Sequence, residues 1–289
     1  HTRCREVSWA RRCVEETVCN IMNGHPTLDN KTYDIYHKNL FHTKLINMDI
    51  VSPEPYRLNE YFNQKCDIAQ AFDMLINNKG IRELPAPTLI LSKEELLEGR
   101  KAIDEIKKKV KKEKLVIIQP FGRAITQIDN SFVDKSNRSI EFSNLKQIIK
   151  KLQEKDWAVC IMSEFGIEFK DAGFKDEVAI PEIPDLRKWA GLIKYADHFL
   201  GCDSVGQHLA KAMETPASVV MGATYPINTS YPNDKNFTII DMGQFDREYD
   251  PIRISFDERI SRKHERIMTM TPEIEDYVVS AVNGDPIEE

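Results

Sequence analysis

The segment 198–212 combines residue types at a spacing that could hold a negatively charged group. It reads as a short apolar strand, a tight turn ending at Asp203 and Ser204, and then a helix. The amides of residues 204–206 would have no partner inside that helix, and the helix dipole adds positive potential there, so a phosphate could bind. Gly206 would let a phosphate approach the backbone closely. His208 would share a helical face with Ser204. An ordinary helix cap beside a surface histidine fits the same spacing.

The elements that would position this segment alternate regularly between residues 114 and 242. Short apolar runs typical of buried strands are separated by stretches whose apolar residues recur at helical spacing. We therefore expect right-handed βαβ units and a doubly wound α/β domain with a six-stranded parallel sheet. The predicted strands are 114–120, 157–162, 178–183, 198–201, 217–221 and 237–242, and the main helices are 142–154, 185–196 and 204–214.

The strand ends of this domain carry further candidates. In an open parallel sheet, ligands bind outside the carboxyl ends of the strands. Polar residues or glycine follow four of the predicted strands, in the segments 119–122, 163–166, 202–204 and 222–224. We therefore expect Gln119 and Gly222 to lie at the same site as Asp203.

Composition and known motifs exclude several classes of function. The net charge is -6, whereas a protein that mainly binds nucleic acid presents a basic surface. No apolar stretch approaches the roughly 18 residues of a membrane span, and the first residues lack the apolar run of a signal peptide. The signatures of P-loop ATPases, dinucleotide-binding folds and zinc proteases do not occur in the sequence.

Two residue clusters have ordinary explanations. The six cysteines include no Cys-x-x-Cys pair, and we interpret them as reduced thiols of a cytoplasmic protein. Five lysines fall within 107–112, at the end of a helix that begins with the capping box Ser92-Lys93-Glu94-Glu95. A solvated helix face with cations near its C-terminus is the favoured interpretation, and a phosphate or membrane patch is the alternative.

The flanking regions are less regular. In residues 1–92 the pattern predicts a helix around 9–22, a strand at 33–40 and a helix at 58–77. Near the other end, Thr271-Pro272-Glu273 supplies a helix cap, a proline at the first helical position and an early acid. The final helix is expected to end near Val282.

Residues 185–226 resemble the C-terminal domain of the heptosyltransferase family, glycosyltransferase family 9. The resemblance is carried by Leu186-x-x-Trp189-Ala-x-Leu192-Ile-x-x-Ala196-Asp197, by Asp203-Ser204-x-Gly206-x-His208-Leu-Ala210-x-Ala212, and by Pro216, Gly222 and Thr224-x-Pro226. Weaker likeness extends over 115–282. The resemblance implies the α/β GT-B fold, in which two Rossmann-like domains face each other. Residues 1–112 would be a partial acceptor-side domain, and 113–289 would be the nucleotide-sugar domain. The last helix could pack back on the acceptor-side domain.

The resemblance also implies where the donor diphosphate binds. It places the diphosphate at Asp203, Ser204, Gly206 and His208. A cation that stabilises the leaving group is expected in the loop after the first strand of this domain. Arg138 is the first candidate there.

Other assignments at this site have alternatives. Lys135 and Arg123 are the alternatives to Arg138, because the Lys/Arg-Trp-Pro pattern of the family is not intact: Ser139 and Ile140 follow Arg138. An acid after the second strand would bind the ribose hydroxyls. Glu164 is the first candidate and Glu168 the second, and a solvated loop acid fits either position equally well.

The general base of the family has no counterpart here. In the family it is an Asp in a Gly-rich turn at the beginning of the N-terminal domain, and no segment matches that pattern. We therefore expect the first βαβ unit of the acceptor-side domain to be missing or diverged. The remaining acid/base candidates rest on residue type alone, and surface polar residues explain them more simply: His25, His37, His42, Asp29 and Asp34.

The resemblance implies a glycosyltransferase that moves a heptose-like sugar from a nucleoside diphosphate, with ADP favoured, to a glycan or lipopolysaccharide-type acceptor. The resemblance implies an inverting reaction, the absence of Asp-x-Asp agrees with a mechanism without metal, and no cofactor is expected. We expect a cytoplasmic protein in peripheral contact with the inner face of a membrane. An inactive GT-B protein that binds a nucleotide or sugar, and a GT-B sugar-nucleotide 2-epimerase, are the alternatives.

Overall fold

The computed structural model describes most of the chain from residue 53 onward. The predicted strand at 33–40 and all but the last two residues of the helix predicted at 9–22 lie outside the described residues. The described residues are 21–22, 24–26, 28, 53–122, 125–128, 131–134, 136–164, 167–169, 172–244, 247 and 266–285.

A small helical unit forms the first part of the chain that the structure describes in full. It consists of a 3-10 turn at Pro55–Arg57, helix α1 (Asn59–Phe62) and helix α2 (Ile68–Asn77). The helix predicted over 58–77 is therefore interrupted, and α2 begins separately with a capping box between Asp67 and Gln70. Such a box satisfies amides at the helix N-terminus reciprocally.

Helix α3 (Lys93–Val110) begins at the predicted capping box. The Ser92 amide donates to the Glu95 carboxylate at 2.6 Å, and the Glu95 amide donates to the Ser92 hydroxyl at 3.2 Å. Three lysines at the other end of the helix are paired with acids of the α/β unit. The pairs are Lys107 with Asp197, Lys109 with Glu177, and Lys112 with Asp156 and Asp176. These pairs hold α3 to the α/β unit and leave the side chains of Lys107 and Lys112 only 20% and 8% exposed, so they favour neither a fully solvated helix face nor a patch that binds phosphate or membrane.

A five-stranded sheet, parallel throughout, forms the centre of the α/β unit. Three helices connect its strands in the predicted places, so the alternation of elements is confirmed. The sheet strands are β1 (Lys114–Gln119), β4 (Trp157–Ile161), β5 (His198–Cys202), β6 (Ala217–Met221) and β7 (Phe237–Asp241), and a hairpin outside the sheet contains β2 (Ile125–Ile128) and β3 (Ser131–Asp134). The helices are α4 (Phe142–Glu154), α5 (Leu186–Tyr195), α6 (Val205–Met213), the short α7 (Pro226–Thr229) and α8 (Pro272–Asn283).

The prediction of a sixth strand at 178–183 is wrong. Only Ala179 pairs with β4: its amide donates to Val159 at 3.0 Å, and its carbonyl accepts from Ile161 at 2.8 Å. Pro181 and Pro184 follow, and because proline has no amide proton, this segment cannot continue the ladder. The antiparallel hairpin β2–β3 lies in a segment that had been predicted as a loop.

The order of the sheet, β4-β1-β5-β6-β7, places a reversal between β1 and β5. The chain leaves β1 toward β4 and then returns across β1 to form β5. In doubly wound folds the crevice at such a reversal is where ligands bind. The ends of β1 and β5 therefore mark the place for a functional site.

Two apolar layers cover the two faces of the sheet. Helices α4 and α8 cover one face, where Ile148 and Val278 are fully buried against Val116 of β1. Helices α3, α5 and α6 cover the other, on which Phe199 of β5 is fully buried. The final helix thus packs on α4 and the sheet. Its contact with an acceptor-side domain stays a prediction, and so does the domain boundary after residue 112.

Helices α3 and α5 cross with their backbones in contact. A Cβ on Gly99 would lie 2.4 Å from the carbonyl oxygen of Gly191, and one on Gly191 would lie 2.9 Å from the carbonyl oxygen of Glu95. Beside this crossing, Arg187 holds the Glu95 carboxylate with two hydrogen bonds of 2.6 and 2.8 Å. Arg187 therefore lowers the pKa of Glu95 to about 2.

We predict that Gly99→Ala destabilises the protein by about 1–3 kcal/mol, because the added methyl group forces two backbones apart. The free energy of unfolding in urea measures this effect. Gly80→Ala is the control, since a Cβ there meets no atom within 4 Å, and it should change stability by less than about 0.5 kcal/mol. Equal stability of the two variants would contradict the close crossing.

Candidate functional site

The side chain of Gln119 spans the crevice between β1 and β5. Its carbonyl oxygen accepts the Gly206 amide at 2.7 Å, and its amino group donates to the Ser204 hydroxyl at 3.0 Å. Gln119 is the last residue of β1, and Ser204 is the N-cap of α6. Because the first amides of a helix have no intrahelical partner, this one side chain both caps α6 and joins it to β1.

This arrangement changes the role expected of Gly206. Its amide is occupied by Gln119, so it is not available to a phosphate in this structure. A Cβ at this position would lie 2.4 Å from both the Gln119 oxygen and the Phe199 ring. Packing alone therefore requires glycine here. The amides of Ser204 and Val205 are the ones that remain to be considered for an anion.

Asp203 lies at the end of β5 with 5% of its surface exposed. One carboxylate oxygen accepts from the Thr224 hydroxyl at 2.7 Å, and the other accepts from the Gln207 amide group at 3.1 Å. Arg138 lies 3.8 Å from the first oxygen. Asp203 was expected at the helix cap together with Ser204, but its side chain instead links β5 to α6, to the segment after β6 and to Arg138.

Arg138 is held in place by the carboxylate of Asp134. That carboxylate accepts backbone amides of Arg138 at 3.2 Å and of Ser139 at 2.8 Å, and also the hydroxyls of Ser136 and Ser139. Burial acts to raise the pKa of Asp134, but these hydrogen bonds outweigh it and the pKa is lowered. The segment 134–139 therefore presents Arg138 to Asp203 at the end of β5.

Gly222, after β6, packs against the same segment. A Cβ there would lie 2.6 Å from the Asn137 carbonyl oxygen and 2.5 Å from the sulfur of Met268. The neighbouring Ala223 amide donates to that carbonyl at 3.3 Å. Gly222 thus lets the arginine-bearing segment approach the end of β6.

His208 lies on α6 one turn beyond Ser204. Its Nδ1 atom is 2.8 Å from the hydroxyl oxygen of Tyr231, and the two rings meet edge to face. Burial lowers the pKa of His208, although the charge of Asp203 opposes this. The imidazole is therefore neutral near pH 7. Burial, with a smaller contribution from the charge of Asp67, raises the pKa of Tyr231 to about 12.

The residues described so far form one cluster at the ends of β1 and β5: Gln119, Asp134, Arg138, Asp203, Ser204, His208, Thr224 and Tyr231. The remaining candidates are separate from this cluster. Glu164 and Glu168 are exposed on the segment after β4, on the far side of β1 from β5. His25 accepts the Leu28 amide at 3.2 Å in a local turn. The others lie outside the described residues: Arg123, Lys135, His37, His42, Asp29 and Asp34.

Three residues of the cluster were not recognised as functional from the sequence. Tyr231 and Asp134 carry no motif, and Thr224 was noted only as part of the strand-end segment 222–224 and of the resemblance. Their importance comes from hydrogen bonds to His208, Arg138 and Asp203. A polar residue placed shortly after a strand was the one available signal, and Thr224 alone had it.

A surface cavity of about 550 Å³ lies away from the cluster, lined by residues of the segment 169–180. The strand ends of a doubly wound sheet are where ligands bind, so the cluster is the candidate site and the cavity is not. In the described ranges, no three His, Cys, Asp or Glu side chains are placed to hold a metal ion, and no helix is long and apolar enough to cross a membrane.

Comparison with known proteins finds similarity only among solved structures. No protein-family model and no curated protein matches this chain. The ADP-heptose lps heptosyltransferase II of E. coli matches with 14% identity and a TM-score of 0.44, covering 74% of this chain and 62% of that one. A family 9 glycosyl transferase of Veillonella parvula matches with 8% identity and a TM-score of 0.47, covering 66% and 51%.

A third match is the dodecameric iron-containing heptosyltransferase TibC of E. coli, with 14% identity, a TM-score of 0.43 and coverage of 76% of this chain and 54% of that one. The chain thus spans between 51% and 62% of the length of these three structures. These matches are to glycosyltransferase family 9 heptosyltransferases, the family that the sequence resembles.

For this site we predict that Asp134→Asn destabilises the protein by about 1–3 kcal/mol, because the amide cannot accept all the donors of 136–139. Since the pKa of Asp134 is lowered by folding, the carboxylate stabilises the protein above its unfolded pKa of about 3.9. That contribution is lost as the pH falls through the folded pKa. Unfolding in urea from pH 7 to pH 3 should show the difference between wild type and variant shrinking.

Asp104→Asn is the control for this series. Asp104 is exposed and lies 3.9 Å from Arg100 on the surface of α3, and exposed ion pairs contribute little to stability. Its unfolding should match wild type at every pH. A difference for Asp134→Asn that stays constant down to pH 3 would mean that the carboxylate charge is not what holds the segment.

Proposed function

We propose that this chain binds the diphosphate of a nucleoside-diphosphate sugar at the β1–β5 crevice and takes part in glycosyl transfer. The observation that supports this most directly is the ion pair of 3.8 Å between Arg138 and Asp203, the residue before the N-cap of α6, at the reversal of strand order. A guanidinium and a helix N-terminus both attract a diphosphate. Their location at the strand ends is the usual one for a nucleotide in this class of fold.

The charges at this site suit a leaving group. A nucleoside diphosphate gains negative charge as its bond to the sugar breaks, and groups that stabilise that charge lower the barrier. The Arg138 side chain is 29% exposed and its guanidinium is already placed by Asp203. A cation held in advance in this way need not reorganise during the reaction.

His208 would contribute as a neutral group. Because burial lowers its pKa, the imidazole can offer the diphosphate a hydrogen bond but little positive charge. We therefore assign the electrostatic part of leaving-group stabilisation to Arg138. The amides of Ser204 and Val205, at the beginning of α6, would bind the same diphosphate.

The identities of donor and acceptor are part of the proposal. We favour an ADP-linked, heptose-like sugar and a glycan or lipid-linked acceptor, in line with the motif resemblance at 203–208. We propose an inverting reaction without metal at the inner face of a membrane in the cytoplasm. Glu164 or Glu168 remains a proposal for the ribose hydroxyls.

A second candidate is a protein that binds the nucleotide or sugar and transfers nothing. It is favoured by the state of Asp203, just before α6. Asp203 is buried and its oxygens accept from Thr224 and Gln207, so it is poorly placed to remove a proton from an acceptor. A transferase would therefore need another residue as its base, and His25 is the one described candidate among those proposed.

Nucleotide binding is the first test. We predict that ADP binds in calorimetry, and that Arg138→Ala weakens binding roughly 10- to 100-fold, because a hydrogen bond to a charged group contributes about 1.5–3 kcal/mol. Arg100→Ala, on the exposed surface of α3, should bind like wild type. Asp203 retains its bonds to Thr224 and Gln207 in the variant, and thermal unfolding monitors the effect of losing its ion pair. If ADP, UDP and GDP all fail to bind at millimolar concentration, the proposed site is wrong.

Turnover separates the two candidates. Release of ADP from an ADP-sugar in the presence of an acceptor measures kcat. For Arg138→Ala we expect kcat to fall by a factor of roughly 10²–10³, the effect of losing one electrostatic stabiliser of the transition state. Arg100→Ala again serves as the matched variant. Binding of ADP by the wild type without any transfer would instead favour the binding protein.

A further inference from the structure

The pairing of His208 with Tyr231 raises the question of which ring nitrogen carries the proton. Nδ1 of His208 lies 2.8 Å from the Tyr231 hydroxyl oxygen. In a neutral imidazole one nitrogen donates and the other accepts, and the bond made by one nitrogen decides the state of the other. The bond to Tyr231 therefore determines what Nε2 can offer to a ligand.

The surroundings of Tyr231 favour the hydroxyl as donor. Its ring packs edge to face on Phe237, with centroids 5.1 Å apart, which fixes the hydroxyl toward His208. If the Tyr231 oxygen accepted from Nδ1, its own proton would need another acceptor, and the one hydrogen-bond partner described for this hydroxyl is His208. Donation to Nδ1 satisfies both groups.

The charges facing the pair come from several elements. Asp203 acts on His208 from the end of β5. Lys211 lies over the Tyr231 ring at 5.6 Å and is ion-paired with Asp234. Asp67, at the beginning of α2, acts on the Tyr231 hydroxyl. A negative charge near the hydroxyl keeps its proton bound, and that proton is what Nδ1 accepts.

We propose that Tyr231 is a positioning residue that holds His208 in the tautomer with its proton on Nε2, so that Nε2–H donates to a diphosphate oxygen. This inference rests on the proposed function for the identity of the ligand. The tautomer itself is a property of the free protein, so it can be tested without any ligand.

The first experiment reads the tautomer directly. In two-bond ¹H–¹⁵N correlation spectra of the 289-residue chain, the His208 ring should show the pattern of Nε2–H, and His208→Gln assigns its signals. A pattern of Nδ1–H in the wild type would overturn the proposal. This measurement needs no variant of Tyr231 to fold.

The second experiment uses Tyr231→Phe, which keeps the ring and removes the hydroxyl. A hydrogen bond donated to the neutral imidazole disfavours the imidazolium, so its loss should raise the midpoint at which His208 titrates. If the hydroxyl accepted from Nδ1 instead, its loss would lower that midpoint, because such an acceptor supports the charged form. The direction of the change in the NMR titration therefore decides between the two arrangements.

The third readout is ADP affinity at pH 7.5, which we expect to fall roughly two- to tenfold in Tyr231→Phe, as for the loss of one hydrogen bond. Tyr195 is the last residue of α5, just before β5 begins, so it lies at the opposite edge of the sheet from the end of β5. Tyr195→Phe should therefore leave the ADP affinity and the His208 titration midpoint unchanged. If the wild type shows Nε2–H but binds no ADP, the proposed function fails while the tautomer assignment stands. If ADP binds but the His208 midpoint falls in Tyr231→Phe, the role assigned to Tyr231 fails alone.

Discussion

The side-chain amide of Gln119 joins the end of β1 to the first turn of α6, and the site depends on that junction. Without it, the Gly206 amide would be buried with no acceptor, at a cost of about 1–3 kcal/mol. The hydroxyl of the N-cap residue, Ser204, is bound by Gln119 instead of capping the helix itself. The same side chain therefore places the beginning of α6 relative to β1, across the point where the strand order reverses.

Two carboxylates organise the basic side of the crevice. Asp134 shapes the backbone around Arg138, and Asp203 lies next to its guanidinium. Neither acid is well placed to act on a substrate, since Asp134 accepts from several internal donors and Asp203 is buried with a hydrogen bond to each oxygen. Their effect is to hold a cation at the strand ends where an anion is proposed to bind.

The sequence predicted the parts of this molecule that leave a periodic trace. The five sheet strands and helices α4, α5 and α6 follow from apolar runs and helical spacing, and the capping box at Ser92 was found from its residues alone. The strand at 178–183 was mispredicted because the prediction followed the apolar run and gave no weight to Pro181, which cannot donate to a ladder. The hairpin β2–β3 is too short to show a period.

The site was less predictable, because its contacts connect residues far apart in the chain. Gln119 meets Gly206 across 87 positions, and Tyr231 meets His208 across 23. Spacing rules describe neighbours within one helix or strand, so neither contact could be deduced. Arg138 was proposed from a family resemblance, and its proximity to Asp203 depends on the local fold around Asp134.

The close packing around Gly206 bears on how this motif should be interpreted in other genomes. Phe199 and Gln119 leave no room for a methyl group at that position, so selection for a folded protein is sufficient to retain the glycine. A descendant that had lost all catalysis would still keep it, together with Gln119. Persistence of this glycine in an alignment would therefore report an intact domain, whereas drift at Arg138, whose side chain is partly exposed, would be the earlier sign that the proposed anion site is lost.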